Sequence, residues 1–165
     1  MNTAFITGHR LIDYQIIHQG INQLTNLAIN RRITTFLTGM AVGTDLMAAQ
    51  IWTERQLTWK AILPCSDQSN LWTYKQQIFY RQLLTKATEV KVLYPQYSQG
   101  VMQARDAWLV KNSQLCLAVW DERETGGTFL TIKMARKAKL PLIIFNPKTL
   151  EINVEEPIKQ LSLFD

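Results

Sequence analysis

Residues 33–52 read ITTFLTGMAVGTDLMAAQIW. The first six, ITTFLT, are β-branched, aromatic and apolar, which is the composition of a strand. The last seven, LMAAQIW, form a short apolar run rich in good helix formers. Between them Gly39, Gly43 and Asp45 share one strand-to-helix turn. A strand that passes through a glycine turn straight into a helix is half of a βαβ unit. The fold is decided by whether that pattern recurs.

It recurs along most of the chain. Short apolar runs bounded by turn residues predict strands at 4–7, 33–38, 59–64, 89–94, 115–120 and 140–145. Helical patterns fill the intervals at 13–30, 44–57, 71–86, 101–111 and 128–139. Strands alternating with helices imply right-handed crossovers and a mostly parallel sheet covered on both faces. The expected class is therefore α/β, a three-layer Rossmann-like fold. No repeat, low-complexity tract or linker interrupts the pattern before about residue 147, where the chain turns polar with NPKTLEINVEEP (146–157). This predicts one domain over 1–147 and a C-terminal extension over 148–165.

Composition narrows the function classes. With 165 residues, 47% of them hydrophobic, the chain is long and apolar enough for a full core. A formal charge of +5 and a pI near 9.3 suit an anionic ligand or nucleic acid. Cys65 and Cys116 form no CxxC pair, so neither a disulfide framework nor a zinc site is expected. No carboxylate cluster announces a metal, and none is expected. MNTAFITGHR lacks the pattern of a signal peptide, and no apolar run is long enough to span a bilayer. A reducing cytoplasm is the expected compartment, with no membrane partner.

In such a sheet, ligands bind beyond the carboxyl ends of the strands, at the switch point in strand order. The turns to read are TGHR (7–10), TGMAVGTD (38–45), PCSDQ (64–68), YPQY (94–97), WDERETGGT (120–128) and NP (146–147). Glycines there allow a tight turn, and a helix start presents unpaired backbone N–H groups to an anion. Gly8, Gly39, Gly43, Gly126, Gly127 and Thr128 fit that role, with Met40 and Ala41 in the same loop as the second pair. GxxxxGK[ST] is absent, which excludes a P-loop NTPase. GxGxxG is absent after the first strand, which argues against a conventional NAD-dependent dehydrogenase.

Five spaced motifs together resemble a known family. They are TGHR, GMAVGTD (39–45), LPCSDQ (63–68) followed by Trp72, RDAWLV (105–110) and AVWDERETGGT (118–128). The set resembles the SLOG superfamily (SMF/DprA–LOG), in particular its YpsA-like branch, over roughly residues 1–147. The resemblance implies a Rossmann-like fold with a pocket for a nucleotide or a derivative such as ADP-ribose or NAD. It leaves the reaction open. LOG enzymes, which cleave the ribose–base bond of cytokinin nucleotides, carry PGGxGTxxE. This chain has ETGGTFLT (124–131), with Thr131 where the acid would be sought. Asp45 is then the candidate catalytic carboxylate from the other loop.

Single residues each read two ways. Asp45 is either a first-turn acid favoured by the helix dipole or a carboxylate that bonds ribose and assists glycosidic cleavage. Arg10 and Arg105 are either surface charges or two-pronged phosphate ligands, with Asp106 to orient Arg105. Trp72 and Trp120 are either core or flat faces for a base. Gln68 suits a base edge or a loop hydrogen bond. Pro64 and Asp121 complete the set, each in a post-strand turn. Lys133, Arg136 and Lys137 share one side of a helix; this is a solvated face or a contact for single-stranded DNA, which the related DprA proteins bind. Such folds often dimerise through exposed helices, so a homo-oligomer is a further expectation.

The chain ends QLSLFD (160–165). Leu161, Leu163 and Phe164 either fold back on the domain or act with Gln160 as a linear motif. QLSLF resembles the Q-L-x-L-F peptide with which bacterial proteins dock on the DNA sliding clamp.

Overall fold

The computed structural model describes residues 2–157; the peptide from Gln160 to Phe164 lies outside the described residues. Among these residues there are seven strands and five helices. In chain order they are β1 (Thr3–Gly8), α1 (Tyr14–Asn30), β2 (Thr35–Thr38), α2 (Thr44–Glu54), β3 (Thr58–Cys65) and α3 (Tyr74–Leu84). Then come β4 (Glu89–Tyr94), α4 (Val101–Lys111), β5 (Leu115–Val119), α5 (Gly126–Lys137), β6 (Leu142–Phe145) and β7 (Ile152–Glu155). The sheet order is β4-β3-β2-β1-β5-β6-β7, parallel except for β7, which runs antiparallel to β6. The chain winds outward from β1 to β4, returns to β5 beside β1, and winds outward again. The switch point therefore lies between β1 and β5.

Alternation along the strands divides the core into two layers. Ala4 and Ile6 of β1 pack with Ile17, Ile21 and Leu24 of α1, Ile51 and Trp52 of α2, and Tyr80 and Leu83 of α3. Phe5 points the other way, to Leu109 of α4 and to Ile132 and Ala135 of α5. Every residue of β5 is buried, as expected of a central parallel strand.

The elements start where the local chemistry directs. Asp13 caps α1 by accepting from the Ile16 N–H, and Thr73 forms a capping box with Gln76 at α3. That box starts α3 three residues later than the periodicity alone predicts. Helix α5 starts two residues earlier than predicted, at Gly126. The stretch after 147 supplies a strand that its composition does not announce. INVE is half polar and pairs on one side only, so its strand character comes from the β6 backbone, with Leu142 opposite Glu155. Arg136 of α5 secures it by a two-pronged pair with Glu155.

Trp52 is the central packing element of the first layer. Its ring lies 4.9 Å from that of Phe36, and its indole N–H donates to the Thr25 hydroxyl at 3.0 Å. Trp52→Ala should lower the unfolding free energy by about 3–5 kcal/mol in urea titration, as for other buried aromatics.

Candidate functional site

The turn after β1 and the turn after β5 flank the switch point, and between them lies a cleft of about 280 Å³. The end of β1 from Ile6 to Arg10 forms one wall. Ala41 and Asp45 enter from the β2–α2 turn, and Met102, Arg105 and Asp106 from α4. Arg123, Thr125, Gly126, Gly127, Thr128 and Thr131 close the far side. Residues from four sequence-distant motifs thus converge on one cavity.

The glycines divide into two groups. A Cβ on Gly39 would stand 2.3 Å from the Arg105 guanidinium, and one on Gly43 would stand 2.3 Å from the Arg10 carbonyl oxygen. Gly43 also has φ +88°. These positions, read in the sequence as places for an anion to approach, are instead filled by the protein: their missing side chains let the two loops and α4 close on one another. Gly126 and Gly127 differ, because a Cβ there would meet nothing within 4 Å. Gly126 begins α5 with φ +87°, and no side chain caps that helix. The open space lies in front of the first turn of α5, where N–H groups and the dipole favour an anion.

Arg105 is buried. Its Nη1 donates to the Gly39 carbonyl at 2.6 Å, and its Nε donates to Asp106 Oδ1 at 2.7 Å. The Thr131 hydroxyl lies 3.1 Å from Asp106 Oδ2. Asp45 is only 7% exposed and accepts from the Ala41 N–H at 3.2 Å. Burial pushes its carboxyl up from 3.8 to about 6, against the opposing pull of Arg105; Asp106 adds to the rise. Arg10 is exposed at the rim of the cleft.

His9 and Asp121 clasp the two turns across the switch point. The Asp121 N–H donates to His9 Nε2 at 3.1 Å. Asp121 Oδ1 lies equally close to Nε2, and burial lowers the His9 pKa despite that neighbouring carboxylate, which favours the neutral ring. Asp121 is held well below the usual carboxylate range, chiefly by the two-pronged bond from Arg123. That pair places Arg123 at the cleft.

Several expected ligand residues sit elsewhere. Trp120 packs face to face on Phe129 at 6.0 Å, gives its N–H to the Arg123 carbonyl, and belongs to the core beneath α5. It is no platform in the cleft, because its alternation in the strand direction points it into that layer. Met40 is fully buried in the opposite layer, and Pro64 is buried within β3. Asp121 acts through Arg123. Gln68 and Trp72 line a second compartment beyond Arg10, and Gln68 donates to the Gly39 and Met40 carbonyls at 3.3 Å. Met102, Arg123 and Thr125 were missed. Only Arg123 and Thr125 carried a signal, by lying in the turn after β5. Burial raises the Cys65 pKa, which keeps its thiol protonated. Among the described residues no group of three or more His, Cys, Asp or Glu is placed to hold a metal ion, and no helix is long and apolar enough to cross a membrane.

The two kinds of glycine should separate in stability. Gly43→Ala should lose about 2 kcal/mol or more in chemical denaturation, from backbone strain and the Arg10 contact. Gly127→Ala should stay within about 0.5 kcal/mol of the wild type. Asp45 should leave a pH signature. Its folded pKa is raised, so the folded state holds the proton more tightly, and stability contributed by this group falls as pH rises from about 4 to 6. Asp45→Asn should remove that slope, a difference on the order of 2–3 kcal/mol between the ends of the window.

Comparison with known proteins agrees with this architecture. The chain is 25% identical over 154 residues to UPF0398 protein BBR47_29830 of Brevibacillus brevis, covering 83% of this chain and 82% of that one. It is 25% identical over 174 residues to UPF0398 protein OB1025 of Oceanobacillus iheyensis, covering 94% and 95%. Its fold matches DNA processing protein A (DprA) of Streptococcus pneumoniae with a TM-score of 0.64 at 13% identity, over 86% of this chain and 49% of that one. It also matches TM1055, a structural-genomics target, with a TM-score of 0.58 at 15% identity, over 86% and 72%. The YpsA model, described as the YspA SLOG family, matches residues 5–146, and the chain belongs to that family.

Proposed function

We propose that this protein binds a nucleotide or nucleotide derivative of the ADP-ribose or NAD kind in the cleft between β1 and β5. The observation that carries this reading is the uncapped start of α5, where Gly126 and Gly127 face open space in the cleft that Arg10 and Arg123 also line. A phosphate seated there would accept from backbone N–H groups at the positive end of a helix and meet guanidinium groups from two sides. Asp45 and Asp106, acceptors in their ionised form, are the groups in the cleft suited to ribose hydroxyls.

A second reading, hydrolysis of the N-glycosidic bond, rests on the carboxylates. Asp106 reaches the position beside Thr131 from α4 and so brings an acid next to the α5 site that lacks one in sequence. Asp45, held near 6, is poised to exchange a proton near neutral pH, while Asp106 is paired with Arg105. The tail reading remains a proposal from sequence: QLSLF would dock on a sliding clamp, and a pull-down with and without 160–165 tests it. Single-stranded DNA on α5 is less favoured, because Arg136 is committed to Glu155 and the Trp120 ring and Lys133 lies over Phe129.

A thermal-shift screen of nucleotides, NAD, ADP-ribose and cyclic dinucleotides tests the main reading. A ligand at a hundred times its Kd should raise Tm by about 5–10 °C. Gly127→Ala and Arg10→Ala should abolish that rise without lowering the Tm of the free protein. No shift with any of these compounds would remove the nucleotide reading. Release of free base, lost in Asp106→Asn and Asp45→Asn while the thermal shift persists, would establish the hydrolase.

A further inference from the structure

The phosphate cleft does not end at Arg10. Arg10 and Met102 also border a second compartment of about 660 Å³, built by the loops after β3 and β4. Leu71, Trp72 and Tyr97 supply its apolar and aromatic wall, and Asp67, Gln68 and Asn70 its polar side. Leu71 is 98% exposed and Tyr97 is 62% exposed. Neither contributes to the core, yet both stand on loops that the structure pins. Gln77 Nε2 donates to the Ser69 carbonyl at 2.9 Å and to the Trp72 carbonyl at 3.3 Å, and the Tyr97 N–H donates to Asp67 Oδ1 at 2.8 Å. The Trp72 ring meets Tyr80 edge-on at 5.0 Å, which fixes its plane. Displayed apolar groups on fastened loops beside a polar anion cleft describe a ligand with an anionic end and a flat apolar end.

We propose that this compartment seats the aromatic base of a nucleotide whose phosphate lies at the start of α5, with Arg10 at the junction between the two halves. The assignment rests on the nucleotide reading and deepens it. Of the two tryptophans read as faces for a base, it keeps Trp72, joined by Leu71 and Tyr97, and drops Trp120, which is locked under α5. Stacking on an aromatic face raises affinity by roughly five- to 150-fold per base.

Calorimetric titration with AMP, ADP-ribose and ribose 5-phosphate tests the proposal. Whichever of AMP and ADP-ribose binds tighter should exceed ribose 5-phosphate by tenfold or more in the wild type. That advantage should vanish in Trp72→Ala and in the double variant Leu71→Ser/Tyr97→Ser, while ribose 5-phosphate binds all three proteins alike. The double variant alters only exposed side chains and so guards against misfolding of Trp72→Ala. Equal binding of the base-bearing and base-free compounds to the wild type overturns the base seat but leaves the phosphate site standing. The same holds if the advantage survives in the double variant. Binding of none of the three probes overturns the phosphate site, and the base seat with it. Gly127→Ala should weaken all three probes together.

Discussion

The geometry of the cleft depends on one buried cation. Arg105 leaves α4 on one face of the sheet and reaches the Gly39 carbonyl at the end of β2, in the space a side chain at 39 would fill. Its Nε holds Asp106, and Asp106 lies beside Thr131, in the second turn of α5. Helix α4, the β2–α2 turn and α5 are thereby registered against one another through a single guanidinium. A buried charge is tolerated only with partners in place, and its removal leaves them unsatisfied. The planar fork of arginine suits this task, since it serves two acceptors in fixed directions.

Around that anchor the protein keeps three carboxylates in three different surroundings. Asp121 is tied to Arg123 and stays ionised. Asp106 is paired with Arg105 at the edge of the cleft. Asp45 is buried with one backbone N–H, so its proton is held up to about pH 6. Environment alone drives the Asp45 and Asp121 carboxyls in opposite directions. The cleft therefore combines a helix start and guanidinium groups with carboxylate acceptors. Those are the two kinds of group that a phosphate joined to a sugar requires.

Much of the architecture was legible because parallel strands buried on both faces must be nearly continuous apolar runs, and glycine turns punctuate them. The six parallel strands and five helices lie where the alternation places them, to within a few residues at the ends. The motifs at 7–10, 39–45, 105–110 and 118–128 meet at one crevice, and the chain belongs to the family they resemble. Individual roles were less legible. A glycine in a turn looks the same whether an arginine or open space lies beside it, and Gly39 and Gly126 fall on opposite sides of that choice. Trp72 and Trp120 both follow strands, and only the direction of each ring separates a compartment wall from core.

The sequence by itself determined the class of fold and the edge of the sheet at which the cleft opens. Both follow from periodicity and turn chemistry, which are local. The tertiary structure alone decided which groups meet: Asp106 beside Thr131, Arg105 against Gly39, and His9 across from Asp121. It also decided that INVE is a strand, since an edge strand of mixed polarity is defined by the backbone it pairs with. These are contacts between residues far apart in the chain, set by packing and burial. No local pattern encodes them, because the free energy that selects them exists only once the layers have closed.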